Sequence, residues 1–378
     1  MDSIAGAGKG AAGTAMPSST QLTLLDLHDI NLPDAAPRAA LETITSGPVP
    51  DLAAYDLIVA GLSGKDAHAM LDLLTTQAHR VGVFDRLYTV HADMGLMEWP
   101  QVHHRGRTYL CNRELAVATA RHYGIPAHRH IETRRVVTAP NGTRRPQSLL
   151  EQIAMWGKFP DAARRYCTSD SKVTKIRAAL TPLVRYHRAQ LGRAVRILNV
   201  TGIRAEESTK RATRPTYSAS YANSHRHQDE YHPAHHLSTA EVHTIVDSSG
   251  ADHHWAYDSE PGARDWSGMS RLSCSLCVLG NKADNILAAR RRPRLAALYA
   301  EVERAIGHDF KLAMPMSRIL ELTNEPAGQN PGVILDENGP DFIALETAVR
   351  AQLAAPARLR ASTEFTTVTP NCRSCRTC

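Results

Sequence analysis

The sequence predicts an α/β fold in which a parallel sheet is flanked by helices. Two observations carry this prediction. Short apolar runs at residues 56–60 and 86–90 are each followed by a segment with the pattern of a helix. In addition, 43% of the 378 residues are apolar and 22% are charged, which is the composition of a globular chain that can bury a core. Strands that alternate with helices pair in parallel through right-handed crossovers, so we expect a parallel sheet here.

The predicted α/β core covers residues 51–210, and local sequence features indicate where its strands and helices begin and end. The first strand ends at Gly61, and the helix after it carries apolar residues at positions 69, 70, 73 and 74. A glycine and a proline within residues 124–126 stop the predicted helix at 113–123. The other predicted elements of the core are strands at 86–90, 127–132 and 195–201 and helices at 148–156 and 172–191.

The segments outside the core differ in composition. Residues 1–50 are predicted to be a flexible arm and lead-in, because the first twenty residues offer almost nothing to bury. Residues 211–320 are polar at first, and we interpret them as a substrate-covering segment followed by a helix pair at 282–306 that Pro293 divides. Residues 321–378 are predicted to be an extension with a flexible, cysteine-rich tail. We therefore expect the C-terminal part of the fold to be helical and both ends of the chain to be flexible.

Charge and hydropathy restrict the class of partner. The chain has 44 Lys and Arg residues and 38 Asp and Glu residues, hence a net charge of +6 with His neutral, which suits a nucleotide or a nucleic acid. We interpret the arginine runs, which lie at 134–135, 144–145, 164–165 and 290–292, as solvated faces. No apolar run has the length that a bilayer requires, and no secretory leader is evident. We therefore expect a cytoplasmic protein with no membrane partner.

The loop after the first strand is a candidate phosphate site. Residues 61–67 read Gly-Leu-Ser-Gly-Lys-Asp-Ala and join a buried strand to a helix. Small residues there let the free amides of the helix N-terminus face an anion, which the helix dipole also favours. The spacing is not that of a Walker A loop. A plain turn between a strand and a helix is the alternative.

Polar residues follow two of the other predicted strands. Asp93 comes after the second strand, and Arg204 and Glu207 come after the strand at 195–201. Ligands of parallel sheets bind beyond the carboxyl ends of the strands, so these residues can line one crevice. The two carboxylates suit a divalent ion or ribose hydroxyls, and Arg204 and Lys172 suit phosphate. Helix caps and surface ion pairs are the alternative.

The seven cysteines do not imply disulfides in a chain expected to be cytoplasmic. Two residues separate Cys274 from Cys277, and such a pair can chelate a metal, so zinc, an iron–sulfur cluster and a redox dithiol all stay open. The tail carries Cys372, Cys375 and Cys378. One of these would complete the metal site or act as a mobile attacking thiol, or the tail is simply exposed to solvent.

Five segments together resemble one known family. Residues 63–67 are similar to the pyrophosphate-binding loop of the adenine-nucleotide α-hydrolase (PP-loop) superfamily, usually written Ser-Gly-Gly-Lys-Asp-Ser. Over roughly residues 55–310 the chain resembles the phosphoadenosine-phosphosulfate (PAPS) reductase family of this superfamily. The resemblance is greatest to the branch that includes the sulfur-transfer component of DNA phosphorothioation systems. The other matching segments are 91–99, 167–172, 201–208 and 270–277.

The resemblance implies a Rossmann-like, adenine-nucleotide α-hydrolase fold and a site for ATP or PAPS. Lys65, Asp66 and Asp93 would be catalytic, and magnesium would be held by Asp93 or Glu207. The resemblance also places Cys167 near the cysteine pair, so that three thiolates would hold a [4Fe-4S] cluster, with zinc and a histidine as the alternative. The implied nucleotide contacts are Ser63, Gly64, Lys65, Asp66, Asp93, Lys172, Arg204, Glu207, Ser208 and Arg271, and the implied cluster ligands are Cys167, Cys274 and Cys277.

The implied activity is sulfur transfer or activation by an ATP-using or adenylyl-sulfate-using enzyme with an iron–sulfur cluster. Leu62, Ser63 and Ala67 depart from the usual loop and remove two hydroxyls. The Glu-Cys-Gly-Leu-His tail of the assimilatory reductases is also absent, which makes a role in sulfate assimilation less favoured. The alternatives are thiol-dependent reduction of PAPS or adenylyl sulfate, and a non-catalytic subunit that senses a nucleotide or binds nucleic acid. The sulfur donor or acceptor is not identified; a homodimer or a sulfur-transfer partner protein is expected.

Overall fold

A six-stranded sheet lies at the centre of the fold. The computed structural model describes residues 49–138, 142–325 and 330–355. The strands in this part of the chain are β1 (Leu57–Gly61), β2 (Leu87–Asp93), β3 (Val102–His104), β4 (Arg107–Tyr109), β5 (His130–Arg134), β6 (Val136–Thr138), β7 (Arg144–Pro146), β8 (Val195–Val200), β9 (Tyr217–Ala222) and β10 (Arg226–Tyr231). The order in the central sheet is β5-β2-β1-β8-β10-β9. All neighbours are parallel except β9, which is antiparallel to β10.

Helices cover both faces of this sheet. Alternate residues of β1 point to opposite faces: Ile58 and Ala60 pack in one apolar cluster with α1, whereas Leu57 and Val59 pack in another with residues from the start of α6. The predicted mixed α/β fold with a mainly parallel, helix-flanked sheet is confirmed. The helices are α1 (Lys65–Arg80), α2 (Asn112–His122), α3 (Leu149–Trp156), α4 (Tyr166–Thr168), α5 (Thr174–Ala179), α6 (Thr181–Leu191), α7 (Thr209–Ala212), α8 (Thr239–Ser248), α9 (Lys282–Arg291), α10 (Pro293–Ile306), α11 (Met316–Thr323) and α12 (Pro340–Ala354).

Several element ends differ from the predicted ones. β2 runs on to Asp93, so residues 91–93 belong to the strand rather than to the loop after it. The predicted strand at 127–132 begins later, because Ala127–Arg129 forms a 3-10 turn. The single helix predicted at 172–191 is divided into α5 and α6, and a π-helical turn, Ser169–Val173, precedes α5. The predicted division of the helix pair at Pro293 is confirmed.

The sequence analysis missed β9 and β10. These strands extend the sheet past residue 210, at which the predicted α/β core ends. Their residues are mostly polar, since β9 is an exposed edge and β10 buries little more than Gln228 and Tyr231. A β-bulge lies between Gln228 and Asp229 of β10. Tyr55 donates a 2.7 Å hydrogen bond to Asp229 and so ties the edge to the start of the core.

A second apolar core forms among the C-terminal helices. It contains buried residues of α3, α9, α10, α11 and α12 together with Trp99 and Trp255. The rings of Trp99 and Trp255 meet edge to face, with centroids 5.3 Å apart. The expected helical C-terminal part is therefore present, and the segment before α9 packs into the same core.

Two arginines of the run at 290–292 contradict the prediction of a solvated face. Arg291 and Arg292 are fully buried. The Arg291 guanidinium donates to backbone carbonyls, including those of Ala256 (2.8 Å) and Asp258 (2.6 Å). Arg292 donates to Glu337 (2.8 Å from Nε). Burial is tolerated because protein acceptors satisfy the donors, a pattern that composition does not reveal.

Some predictions lie outside the described residues. They are the flexible arm and lead-in as far as residue 48, and the cysteines of the tail, Cys372, Cys375 and Cys378. Among the described residues, no helix is both long enough and apolar enough to span a membrane.

Candidate functional site

The site is built where three adjacent parallel strands end. β1 lies between β2 and β8, so the segments that follow these three strands share one edge of the sheet. Gly202, in the segment after β8, packs directly on the first turn of α1: a Cβ at this position would lie 2.5 Å from the Asp66 carbonyl carbon. Only glycine permits this approach. The loop after β1 and the segment after β8 therefore form one continuous surface.

The loop between β1 and α1 is held tightly from one side. A Cβ at Gly64 would lie 2.4 Å from the Tyr257 hydroxyl and 3.0 Å from Leu272 Cβ. The same hydroxyl accepts a 2.9 Å hydrogen bond from the Lys65 amide. One amide of the helix N-terminus is thus already satisfied, while Ser63 stays exposed. The tight fit explains why the loop carries glycine at position 64.

Lys65 is buried beside the loop. Its Nζ donates a 2.6 Å hydrogen bond to the Ser270 carbonyl and lies 3.9 Å from Asp66. Burial lowers the pKa of Lys65, and the Asp66 carboxylate opposes that effect. The ammonium group therefore connects the loop to the segment that carries Arg271.

Arg204 holds the loop and the segment after β8 together. Its Nε donates to Asp66 (2.6 Å), and its Nη1 donates to Glu206 (2.7 Å) and the Leu237 carbonyl (3.1 Å). The residue is 3% exposed. In the described structure the guanidinium is occupied by protein acceptors, so its direct role is to position Asp66.

Glu207 and Ser208 organise the same segment. Glu207 accepts from the Arg204 amide (3.1 Å), pairs with Arg211 and lies 3.5 Å from Arg271. Ser208 caps α7 by accepting from the Arg211 amide. Arg271 is 41% exposed, which leaves it far more accessible than Lys65 or Arg204. Arg271 is therefore the cation of this group that is freest to meet an added anion.

The end of β2 contributes a cluster of one imidazole and two carboxylates. His91, Asp93 and Glu98 each offer a ligand atom, and the three atoms lie within 4.8 Å of one another. His91 and Glu98 are buried and Asp93 is half-buried. The sequence analysis named only Asp93 as a site residue. The histidine two residues before Asp93, on the same face of the strand, is the pattern that would have found the cluster.

Lys172 and three cysteines lie in one neighbourhood. The charge of Cys277 acts on the Cys167 thiol, and the charges of all three cysteines act on Lys172. Burial raises the pKa of Cys167 and of Cys274. Burial would lower the pKa of Lys172, but the Glu98 carboxylate and the cysteines outweigh that effect and raise it. The three cysteines therefore lie close enough to Lys172 for their charges to interact with it, and Glu98 of the cluster at the end of β2 acts on the same lysine.

The loop with the cysteine pair is fixed by buried hydrogen bonds. The Ser275 amide donates to the Met97 carbonyl (2.8 Å), and Arg292 donates to the Ser275 hydroxyl (2.7 Å). The Cys277 amide donates to the Asn285 side chain (3.1 Å). Anchors from the 3-10 turn after β2, from α9 and from Arg292 between α9 and α10 therefore hold this loop, and the sequence analysis identified none of them.

The Sγ atoms of Cys167, Cys274 and Cys277 are not all within 4.8 Å of one another in the described structure, and the choice between zinc and an iron–sulfur cluster stays open.

The histidine-rich segment lies against the loop. His253 and Tyr257 line a narrow cavity together with Ser63, Gly64 and Lys65. The Trp266 ring stacks between the rings of two histidines, His243 at 3.9 Å and His253 at 4.1 Å. These contacts place part of the histidine-rich segment beside the loop between β1 and α1. Neither His243 nor His253 belongs to a metal-binding group of the described residues.

Comparison with known proteins gives little further information. No protein-family model matches the chain, and no curated protein does. Among solved structures the chain is similar to the crystal structure of phosphoadenylyl-sulfate (PAPS) reductase from Candida auris in a phosphate complex. That match has 13% sequence identity and a TM-score of 0.29, and it covers 54% of this chain and 78% of the other.

Proposed function

We propose that this protein is an enzyme that binds ATP or PAPS at the loop between β1 and α1 and transfers or activates sulfur. The observation that carries the proposal is that two charged pairs, Lys65 with Asp66 and Arg271 with Glu207, are joined through Arg204 at the carboxyl edge of the sheet. This is the place at which parallel sheets bind nucleotides. The sequence resemblance to the PAPS reductase family supplies the chemistry.

In the proposed site, Lys65 and Arg271 bind the phosphate groups. Lys65 is preorganised, since its Nζ is already fixed by the Ser270 carbonyl, and Arg271 is exposed enough to close on the ligand. Fixed cations in a partly dry site stabilise the charge that accumulates on phosphate oxygens. Arg204 keeps Asp66 in place, and Asp93 or Glu207 is the proposed ligand of magnesium.

The cysteines are the proposed site of sulfur chemistry. Cys167, Cys274 and Cys277 would hold a [4Fe-4S] cluster, and three protein ligands leave one iron open to bind a sulfur atom. Burial raises the pKa of Cys167 and Cys274, so these thiols ionise only when a positive charge compensates them. A metal cluster supplies that charge, and Lys172 adds to it.

Titration calorimetry with ATP and with 3′-phosphoadenosine 5′-phosphate tests the nucleotide part. We expect Lys65→Ala to weaken binding by at least about tenfold, because a charge-assisted hydrogen bond contributes roughly 1.5–3 kcal/mol. Lys282 is a matched control, since it also begins a helix but is exposed. Lys282→Ala should leave the affinity unchanged. Equal affinity of the wild-type protein and Lys65→Ala for both nucleotides would contradict the phosphate assignment.

The relative affinities for ATP and 3′-phosphoadenosine 5′-phosphate also distinguish between the two proposed substrates, ATP and PAPS. Tighter binding of 3′-phosphoadenosine 5′-phosphate would favour PAPS, because only that ligand carries the 3′-phosphate. Tighter binding of ATP would favour nucleotide-dependent sulfur activation.

A further inference from the structure

The cluster at the end of β2 has the composition of a metal site. We propose that His91, Asp93 and Glu98 bind a divalent transition-metal ion of the Mn²⁺ or Fe²⁺ class through protein ligands alone. Their ligand atoms lie within 4.8 Å of one another, and His91 Nε2 is 3.3 Å from Glu98 Oε2. Two ligands at right angles, each about 2.1 Å from an ion, are about 3.0 Å apart, so this pair is already close to ligation geometry.

The tautomer of His91 directs a lone pair into the cluster. His91 Nδ1 lies 2.9 Å from the Leu62 carbonyl, which can only accept a hydrogen bond, so Nδ1 carries the proton. In the neutral ring, Nε2 is then the atom with the lone pair. It is buried and makes no hydrogen bond of normal geometry, and the residue is 1% exposed. Metal-binding histidines are oriented in this way, through a hydrogen bond from the second ring nitrogen to a carbonyl.

The two carboxylates supply the anionic ligand atoms of the cluster. Glu98 is 6% exposed, and Asp93 lies close to it at the end of the same segment. One Asp93 oxygen accepts from the Gly95 amide (2.7 Å), which leaves the other oxygen for an ion. Two carboxylates this close repel each other unless a proton or a cation lies between them. Lys172 supplies charge nearby but offers no ligand atom while it is protonated.

The ligand set favours a divalent transition-metal ion over calcium and Cu(I). One imidazole nitrogen with two carboxylates is a hard-to-intermediate set, which suits Mn²⁺ and Fe²⁺, whereas calcium takes oxygen ligands only and Cu(I) prefers sulfur. The site is distinct from the three cysteines, and it does not require a nucleotide. It lies next to the proposed phosphate site, since the carbonyl that orients His91 belongs to Leu62 of the loop.

Electron paramagnetic resonance (EPR) of Mn²⁺ tests this metal site, with no nucleotide added. A chelator first removes any metal from the full-length protein, and the chelator is then removed. The protein is titrated with Mn²⁺, and the loss of the EPR signal of the free ion measures binding. We expect a bound ion that shows ¹⁴N modulation from one imidazole in pulsed EPR. His91→Gln should abolish the modulation and weaken binding by about tenfold or more. Glu98→Gln should weaken binding similarly and keep the modulation.

Three comparisons make the test decisive. Glu260→Gln alters a carboxylate that pairs with Arg105 on the surface and should leave Mn²⁺ binding unchanged. Cys274→Ser should also keep the ¹⁴N modulation, because Mn²⁺ avoids thiolates. Lys172→Met should tighten binding, since it removes a competing positive charge. Absence of Mn²⁺ binding, or modulation that persists in His91→Gln, would overturn the proposal. Nucleotide binding can fail independently, as it is measured in a separate titration without Mn²⁺.

Discussion

Gly64 shows how one residue can set the shape of the loop. No side chain fits there, because the Tyr257 hydroxyl and Leu272 Cβ already occupy the space. We expect Gly64→Ala to lower the free energy of unfolding by about 1–3 kcal/mol, the usual cost of overpacking. Urea unfolding measures this. The contact with Tyr257 is the closer one, so adding Tyr257→Phe should recover part of the loss.

A second glycine provides the control for Gly64→Ala. Gly339 precedes α12 with a φ of −68°, and a Cβ there meets nothing within 4 Å. Gly339→Ala should leave the unfolding free energy nearly unchanged. Equal effects at positions 64 and 339 would show that the close approach to Tyr257 is not what constrains the loop.

Two buried histidines make the stability depend on pH. Burial lowers the pKa of His68 to about 4 and that of His254 to about 3. The unfolded chain, with a histidine pKa near 6.5, then binds more protons than the folded protein below pH 6.5. Stability from these residues is fully present above pH 6.5 and falls as the pH drops toward 4. Each histidine contributes at most about 1.4 kcal/mol per pH unit to the decline.

His254→Asn tests this effect. The Asn side-chain oxygen can replace His254 Nδ1, which accepts from the Ala256 amide (3.1 Å), without adding a group that titrates. We expect the difference in unfolding free energy between pH 7.5 and pH 5 to be smaller in the variant than in the wild-type protein. The same pH difference in both proteins would mean that His254 does not contribute.

At the scale of elements, the loop with the cysteine pair depends on one buried arginine. Arg292 contacts Ser275 in that loop and the Glu98 carbonyl (2.7 Å), and it neutralises Glu337. Arg292→Met would leave a buried carboxylate without its partner, which typically costs about 3–5 kcal/mol. We expect a corresponding loss in urea unfolding. Arg294→Met removes a more exposed pair with Glu346 and should cost much less.

The elements also show how far the sequence can predict this fold. β1, α2, α3, β8, α9 and α10 were predictable, because each has a clear apolar period and a glycine, proline or capping residue at its ends. β9 and β10 were not, because an exposed edge strand needs few apolar residues and takes its position from pairing with β8. The hydrophobic periodicity and composition of a segment indicate which of its residues are buried. They do not indicate which other strand the segment pairs with.

The same limit applies to the candidate site. The loop at 61–67 and Asp93 were identified from their positions after strands. The contacts of Arg204 with Asp66 and Leu237 and of Lys65 with Ser270 depend on residues far apart in the chain. The sequence also did not indicate that Glu98 belongs to the cluster with His91. Such pairings appear only once the sheet order is known.

At the scale of the whole molecule, the six cysteines other than Cys111 divide into two groups. Cys167, Cys274 and Cys277 lie in the described structure, and the tail cysteines lie outside it. We expect Cys167→Ser, Cys274→Ser and Cys277→Ser each to lose most of the iron from anaerobically purified protein, since two thiolates hold a cluster poorly. Removal of residues 371–378 should leave the iron bound. Iron and sulfide analysis with absorption spectra measures both.

Cys111→Ser is the matched control for the iron analysis. Cys111 caps α2 and is not among the proposed ligands, so its substitution should leave the iron content unchanged. If truncation removes the iron while Cys167→Ser retains it, the metal site involves the C-terminus instead. A colourless protein that contains zinc would favour the alternative metal.

The turn that joins β9 to β10 has a practical consequence. β10 is parallel to β8, so its first residue, Arg226, lies at the amino edge of the sheet, opposite the loops that form the site. Residues 223–225 are exposed, and the turn is closed by its own hydrogen bonds through Asn223. A short peptide tag inserted after Ser224 would therefore allow the protein to be attached to a sensor surface with its binding edge facing the solution. Immobilised in this orientation, the protein can be exposed in turn to nucleotide, metal ion and partner proteins.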